Sequence, residues 1–152
     1  MKKILLIFLL LLFTQNGFSN TWSIQEQKDD FKGTSIKYAI SNPVKPNAPL
    51  DFPYEDMEAE FIKICDDTSM IIYFTNDPNL LDGDLSDNYS TFYADVKLDG
   101  KFDSLTLRQD WGSKYLYIRN TKKLINIDEF IIQLKHYGGT RHYKFNLSDL
   151  PC

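Results

Sequence analysis

Two cysteines, Cys65 and Cys152, are the residues whose type most directly implies a reaction, the oxidation of two thiols to a disulfide. An even number of cysteines in an exported chain is typical of a disulfide framework, and the N-terminal segment described below indicates export. A bond between Cys65 and Cys152 would close a loop of nearly ninety residues. In the chain-entropy model, closing a loop of that length stabilises a fold by roughly 4 to 5 kcal/mol. We therefore predict an intramolecular disulfide. Free thiols, a catalytic cysteine and pairing between two chains are the alternatives.

The histidines give little support for catalysis. His136 and His142 are the only two, and the chain has no His-Glu-x-x-His, no Gly-x-Ser-x-Gly and no glycine-rich phosphate loop. His136 falls in the last turn of a predicted helix, where a dipole or solvent role is favoured over catalysis. The sequence thus predicts no catalytic residue, no metal ligand and no cofactor.

Acidic residues are concentrated in the polar segment 76–88, where Asp82, Asp84 and Asp87 resemble an oxygen-rich cation loop. An EF-hand loop requires glycine at its sixth position and glutamate at its twelfth. Asp87 and Tyr93 occupy those positions here. A solvated acidic loop is therefore the favoured interpretation.

Six aromatic and basic residues fall on the outward phase of three predicted strands. They are Tyr93, Lys97, Arg108, Tyr115, Tyr117 and Arg119. Tyrosine and arginine are enriched among the residues that dominate protein–protein binding. The same residues also cover ordinary exposed sheets, and a second layer could bury them. We predict a candidate binding face for another protein at these positions.

The elements that position these residues are mostly strands, because alternating apolar residues and turn signals predict seven or eight of them in antiparallel order. In residues 91–98 every second residue is apolar, and Asp99-Gly100 then signals a two-residue hairpin turn. The other strands are predicted at 22–24, 35–40, 57–65, 70–75, 102–109, 114–119 and 141–147. Residues 42–53 contain four prolines and predict a loop.

One helix is predicted over residues 126–137. Five apolar and aromatic residues recur there at helical spacing, namely Ile127, Phe130, Ile131, Leu134 and Tyr137. Asn126 and Glu129 match a capping box, and Gly138 follows the last turn. The predicted fold is mainly β: an antiparallel β-sandwich or half-barrel with this helix on one edge or face.

The first residues match a secretory signal peptide. Lys2 and Lys3 precede the apolar run 4–13, which is too short for the roughly 20 residues that span a bilayer. Small residues before the Ser19–Asn20 bond fit a cleavage site. We predict a signal peptide over 1–19, a single β-rich domain over 20–152 and a periplasmic or secreted location. An uncleaved membrane anchor is the alternative.

Composition excludes some partners. The formal net charge is −4, and it becomes more negative once Lys2 and Lys3 are removed. A mildly acidic protein is poorly suited to bind nucleic acid or anionic membranes. The expected partner is another protein of the envelope or exterior, and no membrane span is expected in the mature chain.

Several short motifs follow one another in an informative order. Trp22 precedes Asp29-Asp30-Phe31 and Gly33, Cys65 ends a strand, residues 93–99 read Tyr-Ala-Asp-Val-Lys-Leu-Asp, and residues 144–150 read Lys-Phe-Asn-Leu-Ser-Asp-Leu. This order resembles the periplasmic type VI secretion-associated proteins of the TagO/VasI group and their unassigned relatives. Lys97 replaces the usual arginine, and Asn146 and Asp149 replace an aspartate and a glycine. The resemblance implies an exported accessory or binding role without catalysis.

Three functions follow from these observations. The favoured one is a non-enzymatic exported accessory or binding protein, linked to a type VI secretion system if the resemblance holds. The second is a secreted inhibitor of a cell-wall hydrolase such as lysozyme, acting through the acidic residues 77–87. The third is a small periplasmic hydrolase or sugar-binding domain built around Asp110 and Trp111.

Overall fold

The computed structural model describes residues 22–152, so the predicted signal peptide 1–19 and its cleavage site lie outside the described residues. The regular elements are β1 (Trp22–Asp29), β2 (Thr34–Ser41), β3 (Ala59–Ile64), β4 (Met70–Phe74), β5 (Asp84–Leu85), β6 (Tyr89–Leu98), β7 (Lys101–Asp110), β8 (Tyr115–Ile118), a 3-10 helix (Thr121–Leu124), β9 (Glu129–His136) and β10 (Gly139–Asn146). They form one antiparallel sheet in the order β1-β2-β3-β4-β8-β7-β6-β9-β10, with β5 beside β6. Between residues 22 and 152, no helix is long and apolar enough to cross a bilayer.

The mainly β fold is confirmed, but the structure has ten strands where seven or eight were predicted. One additional strand, β5, lies in the segment that was predicted as a polar loop. The other, β9, replaces the predicted helix.

The prediction of a helix over 126–137 is wrong, because Glu129–His136 is strand β9 and pairs with both β6 and β10. Burial alternates along it, with Phe130, Ile132 and Leu134 on the inner face. Asn126 has a positive φ of 61° and caps no helix. The two neighbouring strands provide hydrogen-bond partners along β9, and this long-range pairing outweighs the local helical spacing.

The sheet curls around its apolar inner face until its two halves meet. Phe61 on β3 lies 6.0 Å from Phe130 on β9 and 5.9 Å from Phe145 on β10, measured between ring centroids. The side chains of all three are essentially inaccessible to solvent. The core therefore joins opposite halves of an open, curled sheet.

The connection between β2 and β3 covers the remaining gap. Val44 forms a bridge with Ala59 on β3, and the Asn47 N–H donates to the His142 carbonyl on β10 at 2.9 Å. The Arg141 guanidinium donates to the carbonyls of Ala48 and Pro49. The proline-rich loop thus links the two halves where no strand pairing does.

The hairpin of β6 and β7 lies inside the sheet, between β8 and β9, and confirms the predicted turn. Asp99 and Gly100 both have positive φ, 47° and 80°, as a two-residue type I′ turn requires. The Asp99 carboxylate accepts the N–H groups of Asp128 and Glu129, which fixes the start of β9. One turn therefore positions three strands.

The predicted disulfide is confirmed: Cys65 and Cys152 are bonded, with Cα atoms 5.2 Å apart. It ties the C-terminal segment to the turn after β3. The same segment is also held by the Trp22 indole N–H, which donates to the Ser148 carbonyl at 3.1 Å.

Candidate functional site

Five of the six predicted binding residues lie on the outer face of β6, β7 and β8, and the sixth, Arg119, directly follows β8. We call this surface the Tyr/Arg face. Strand register places Arg108 on β7 between Tyr117 on β8 and Thr91 on β6. Tyr93 lies opposite Thr106 on the same face and is 70% exposed. The alternation that was predicted from sequence is therefore correct at these positions.

Arg108 is held in place by two neighbours. Its Nε and Nη2 donate to Oδ1 of Asp110 at 3.0 and 2.9 Å, and its guanidinium carbon lies 4.1 Å from the ring centroid of Tyr89. The ion pair and the stacking fix one side-chain conformation. The sequence prediction missed both neighbours, although pairing counted from the Asp99-Gly100 turn sets Tyr89 opposite Asp110.

Arg119 shares a hollow with Arg108. The hollow has a volume of about 210 Å³ and is lined by Tyr89, Thr91, Thr106, Arg108 and Arg119. Within residues 22–152, Arg119 has no carboxylate within ion-pair distance, whereas Arg108 has Asp110. A hollow with two guanidinium groups and one ion pair suits an incoming carboxylate, which binds arginine strongly.

Lys97 and Tyr115 extend the Tyr/Arg face in opposite directions. Lys97 lies opposite Phe102, with its Nζ 4.7 Å from that ring centroid. Tyr115 lies opposite Tyr73 on β4, and their ring centroids are 5.1 Å apart. The structure thus brings the arginines together in the middle and places Lys97 nearer β9. Tyr73, which was not among the six predicted residues, adds a second aromatic ring beside Tyr115.

The acidic segment is partly tied down. Asp82 accepts a hydrogen bond from Lys135 at 2.8 Å, and this contact raises the pKa of Lys135. Asp77 accepts the Asn79 N–H at 3.0 Å. Over residues 22–152, no group of three or more His, Cys, Asp or Glu side chains is arranged to hold a metal ion.

The histidines occupy different environments. His142 is exposed and contacts Gln133 at 2.8 Å, while His136 is 2% exposed. His136 Nδ1 donates to the Pro78 carbonyl at 2.6 Å, and Nε2 lies 3.1 Å from the Tyr143 hydroxyl. The solvent role predicted for His136 is therefore wrong. Burial lowers the pKa of its imidazole.

Asp110 and Trp111, the residues of the hydrolase or sugar-binding hypothesis, lie at the end of β7 and in the turn that follows it. Trp111 is 61% exposed in the turn after β7, and the Asp110 carboxylate is already occupied by Arg108. This engagement leaves Asp110 as a support for the Tyr/Arg face.

Comparisons with known proteins found no relative. A scan against protein-family models, a search of curated proteins and a search of solved structures each gave no match. Function is therefore inferred from the geometry of this chain together with the motif resemblance.

Proposed function

We propose that this chain is an exported, non-catalytic accessory protein that binds another envelope or secreted protein through the Tyr/Arg face. The observation that carries the proposal is the hollow shared by Arg108 and Arg119. The exposed Tyr93 and Tyr115 lie on the same face of the sheet. The bound feature of the partner is an acidic side chain or a chain-terminal carboxylate.

Preorganisation favours binding at this place. Arg108 is already fixed by Asp110 and Tyr89, so it loses little conformational freedom when a partner arrives. The guanidinium of Arg119 has no ion-pair partner among residues 22–152, so its positive charge is available to an acidic group of the binding partner. Tyr93 and Tyr115 offer apolar area at a low entropic cost, because a tyrosine has only two side-chain torsions.

Export is the second part of the proposal. A disulfide persists in oxidising compartments and is rare in the cytosol, and it accompanies the signal-peptide pattern of residues 1–19. The motif resemblance leads us to propose a component of a type VI secretion system as the partner. The intact mass of protein from an envelope extract tests export, and we expect a chain starting at Asn20 with no free thiol before reduction. A full-length mass with two free thiols would contradict it.

Site-specific photo-crosslinking in cells of the source organism tests the binding face. A photoreactive phenylalanine analogue is placed at Tyr117, at Tyr93 and, as a control, at Lys32 in the exposed turn between β1 and β2. We expect one and the same protein adduct from both face positions and none from the control position. Mass spectrometry of the adduct identifies the partner and maps its crosslinked residue.

Charge reversal then tests the role of the arginines. Arg119→Glu is expected to abolish the adduct, while Lys32→Glu, with the same change of charge, keeps it. Both variants should retain the urea midpoint of the wild type, because both side chains are exposed. An adduct that survives both Arg119→Glu and Arg108→Glu would rule out the hollow as the binding element.

A second candidate, inhibition of a cell-wall hydrolase, is favoured by the segment around β5. Leu85 is 78% exposed between Asp84 and Asp87, two carboxylates that have no ion-pair partner among residues 22–152. An exposed apolar residue flanked by acids suits a basic enzyme surface. The test is inhibition of a basic lysozyme by the wild type and by an Asp84→Lys/Asp87→Lys variant. Equal rates with and without the wild-type protein would remove this candidate.

A further inference from the structure

A cleft of about 1000 Å³ opens at one end of the curled sheet, beside the disulfide. Three segments that are distant in sequence enclose it: the turn after β3 (65–70), the connection from β8 to β9 (119–128) and the C-terminal segment (147–152). We call it the disulfide cleft. Its volume is at the upper end of the roughly 300 to 1000 Å³ of small-molecule sites, which often lie at the mouths of β-barrels.

One side of the disulfide cleft is apolar. Its lining includes Met70, Leu124, Ile127, Leu147 and Leu150. All five belong to the main apolar core or pack against it, so the cleft is continuous with the interior of the sheet. A ligand with an apolar body would therefore extend the core rather than lie on a polar surface.

The other notable lining residue is Lys63, the one lysine or arginine that is buried among residues 22–152. It is on the inner phase of β3, opposite Met70, and is 6% exposed. Its ammonium group donates to the carbonyls of Ile64 and Asp67. An ammonium has three N–H donors, so one remains for another acceptor.

The ammonium of Lys63 has no ion-pair partner among residues 22–152, although the Asp67 carboxylate is near enough that its pKa is lowered, mainly by hydrogen bonds from Ser69 and in smaller part by the charge of Lys63. No carboxylate between residues 22 and 152 lies within ion-pair distance of its Nζ, and a buried charge without a counter-charge is costly. Asp67, Asp128 and Asp149 line the cleft too, but all three are exposed at its rim. Three further cations share that rim: Arg119, Lys122 and Lys123, of which Lys123 is paired with Asp103 at 2.7 Å. Arg119 and Lys122 form no ion pair among residues 22–152 either, but both are exposed to water, so Lys63 is the buried cation of the cleft.

We propose that the disulfide cleft binds an amphiphile, a single acyl chain that ends in a carboxylate or phosphate group. The anionic group accepts the free N–H of Lys63 and neutralises its charge, and the acyl chain covers the apolar wall. Both free fatty acids and single-chain phospholipids have this chemistry. Arg119 borders both this cleft and the shared hollow of the Tyr/Arg face, but the contacts proposed here are with Lys63 and the apolar wall, so the proposal stands whether or not that face binds a protein.

Calorimetric titration of the oxidised protein, purified without detergent, tests the proposal with four probes of one chain length. The probes are decanoate, decyl phosphate, decyltrimethylammonium and 1-decanol. We expect the anions to bind at least about tenfold more tightly than the alcohol or the cation, since a charge-assisted hydrogen bond has that effect. Binding of decanoate alone would identify a fatty acid as the ligand type, and binding of decyl phosphate would identify a phospholipid type. Amide shifts in NMR spectra should be concentrated in residues 119–128 and 147–152.

Substitution of the lysine separates a ligand site from a purely structural role. Lys63→Met keeps the length of the side chain and is expected to weaken decanoate binding by at least about tenfold while leaving 1-decanol binding unchanged. Lys32→Met, at an exposed turn, is the matched control and should bind like the wild type. If Lys63→Met fails to fold by circular dichroism, Lys63→Gln replaces it, and the four-probe series on the wild type still decides. Equal binding of all four probes, no binding below about 1 mM, or unchanged decanoate affinity in a folded Lys63 variant would overturn the proposal.

Discussion

Removal of the Cys65–Cys152 bridge is expected to produce the largest loss of stability of any change outside the core. The two cysteines are 87 residues apart, so the chain-entropy model gives about 4.5 kcal/mol at 25 °C for the Cys65→Ser/Cys152→Ser variant. The native contacts of the C-terminal segment remain possible in that variant, including the burial of Leu147 and the hydrogen bond from Trp22 to Ser148. The loss therefore arises mainly from the greater freedom of the unfolded chain.

Urea unfolding followed by tryptophan fluorescence measures this loss. Trp22 is 8% exposed and reports the transition, and a Trp111→Phe background removes the signal of the other, exposed tryptophan. With a slope of about 1.5 to 2 kcal/mol per molar urea, the midpoint should fall by roughly 2 to 3 M. Wild-type protein that has been reduced and alkylated is the matched control and should unfold near the same midpoint as the double variant. A difference below about 0.5 M between oxidised wild type and double variant would refute the loop-entropy reasoning.

Three further changes have defined outcomes in the same urea assay. Phe61→Ala should cost about 3 to 5 kcal/mol, because Phe61 joins the two halves of the core, whereas Phe31→Ala, at a 97% exposed position, should stay within about 0.5 kcal/mol of the wild type. Gly100→Ala should cost about 1 to 2 kcal/mol, since alanine is strained at a φ of 80°, and a neutral result would mean that the turn can change its conformation. Burial lowers the pKa of His136 in the folded protein, so the unfolded chain takes up the proton first as the pH falls. Stability should therefore be full above the ordinary histidine pKa of about 6.5 and decline below it, and a His136→Gln variant that shows the same slope between pH 7 and pH 5 would contradict this assignment.

The sequence predicts a strand well where alternation and turn chemistry agree, as in β6 and β7. It fails over 126–137 because Phe130 and Leu134 fit both a helical and a strand period, and Ile131 adds an apolar residue on the outer face. His136 was treated as a polar end of that segment. In the fold its imidazole is buried against Tyr143, and only the pairing of β9 with β10 reveals this.

The two candidate sites differ in how far sequence could predict them. The Tyr/Arg face could be predicted from the sequence, because alternation along a strand indicates which residues lie on the same face of the sheet. The disulfide cleft was not, because its three segments meet only after the sheet curls. The one sequence feature that pointed to the cleft was Lys63, because the alternation along β3 places this lysine on the inner face among apolar residues.

The β6–β7 hairpin has a consequence for the order of folding events. It is the longest of the pairings between strands that are consecutive in sequence. By contrast, β6 with β9 and β4 with β8 pair residues that are distant in sequence, such as Leu98 with Phe130 and Met70 with Ile118, and contacts of low sequence separation form fastest. The nucleus of the folding transition state is therefore expected in β6 and β7, from which the sheet grows outward on both sides. In a chevron plot, Gly100→Ala should then slow refolding and leave the unfolding arm nearly unchanged, while Cys65→Ser/Cys152→Ser should show a different partition between the two arms.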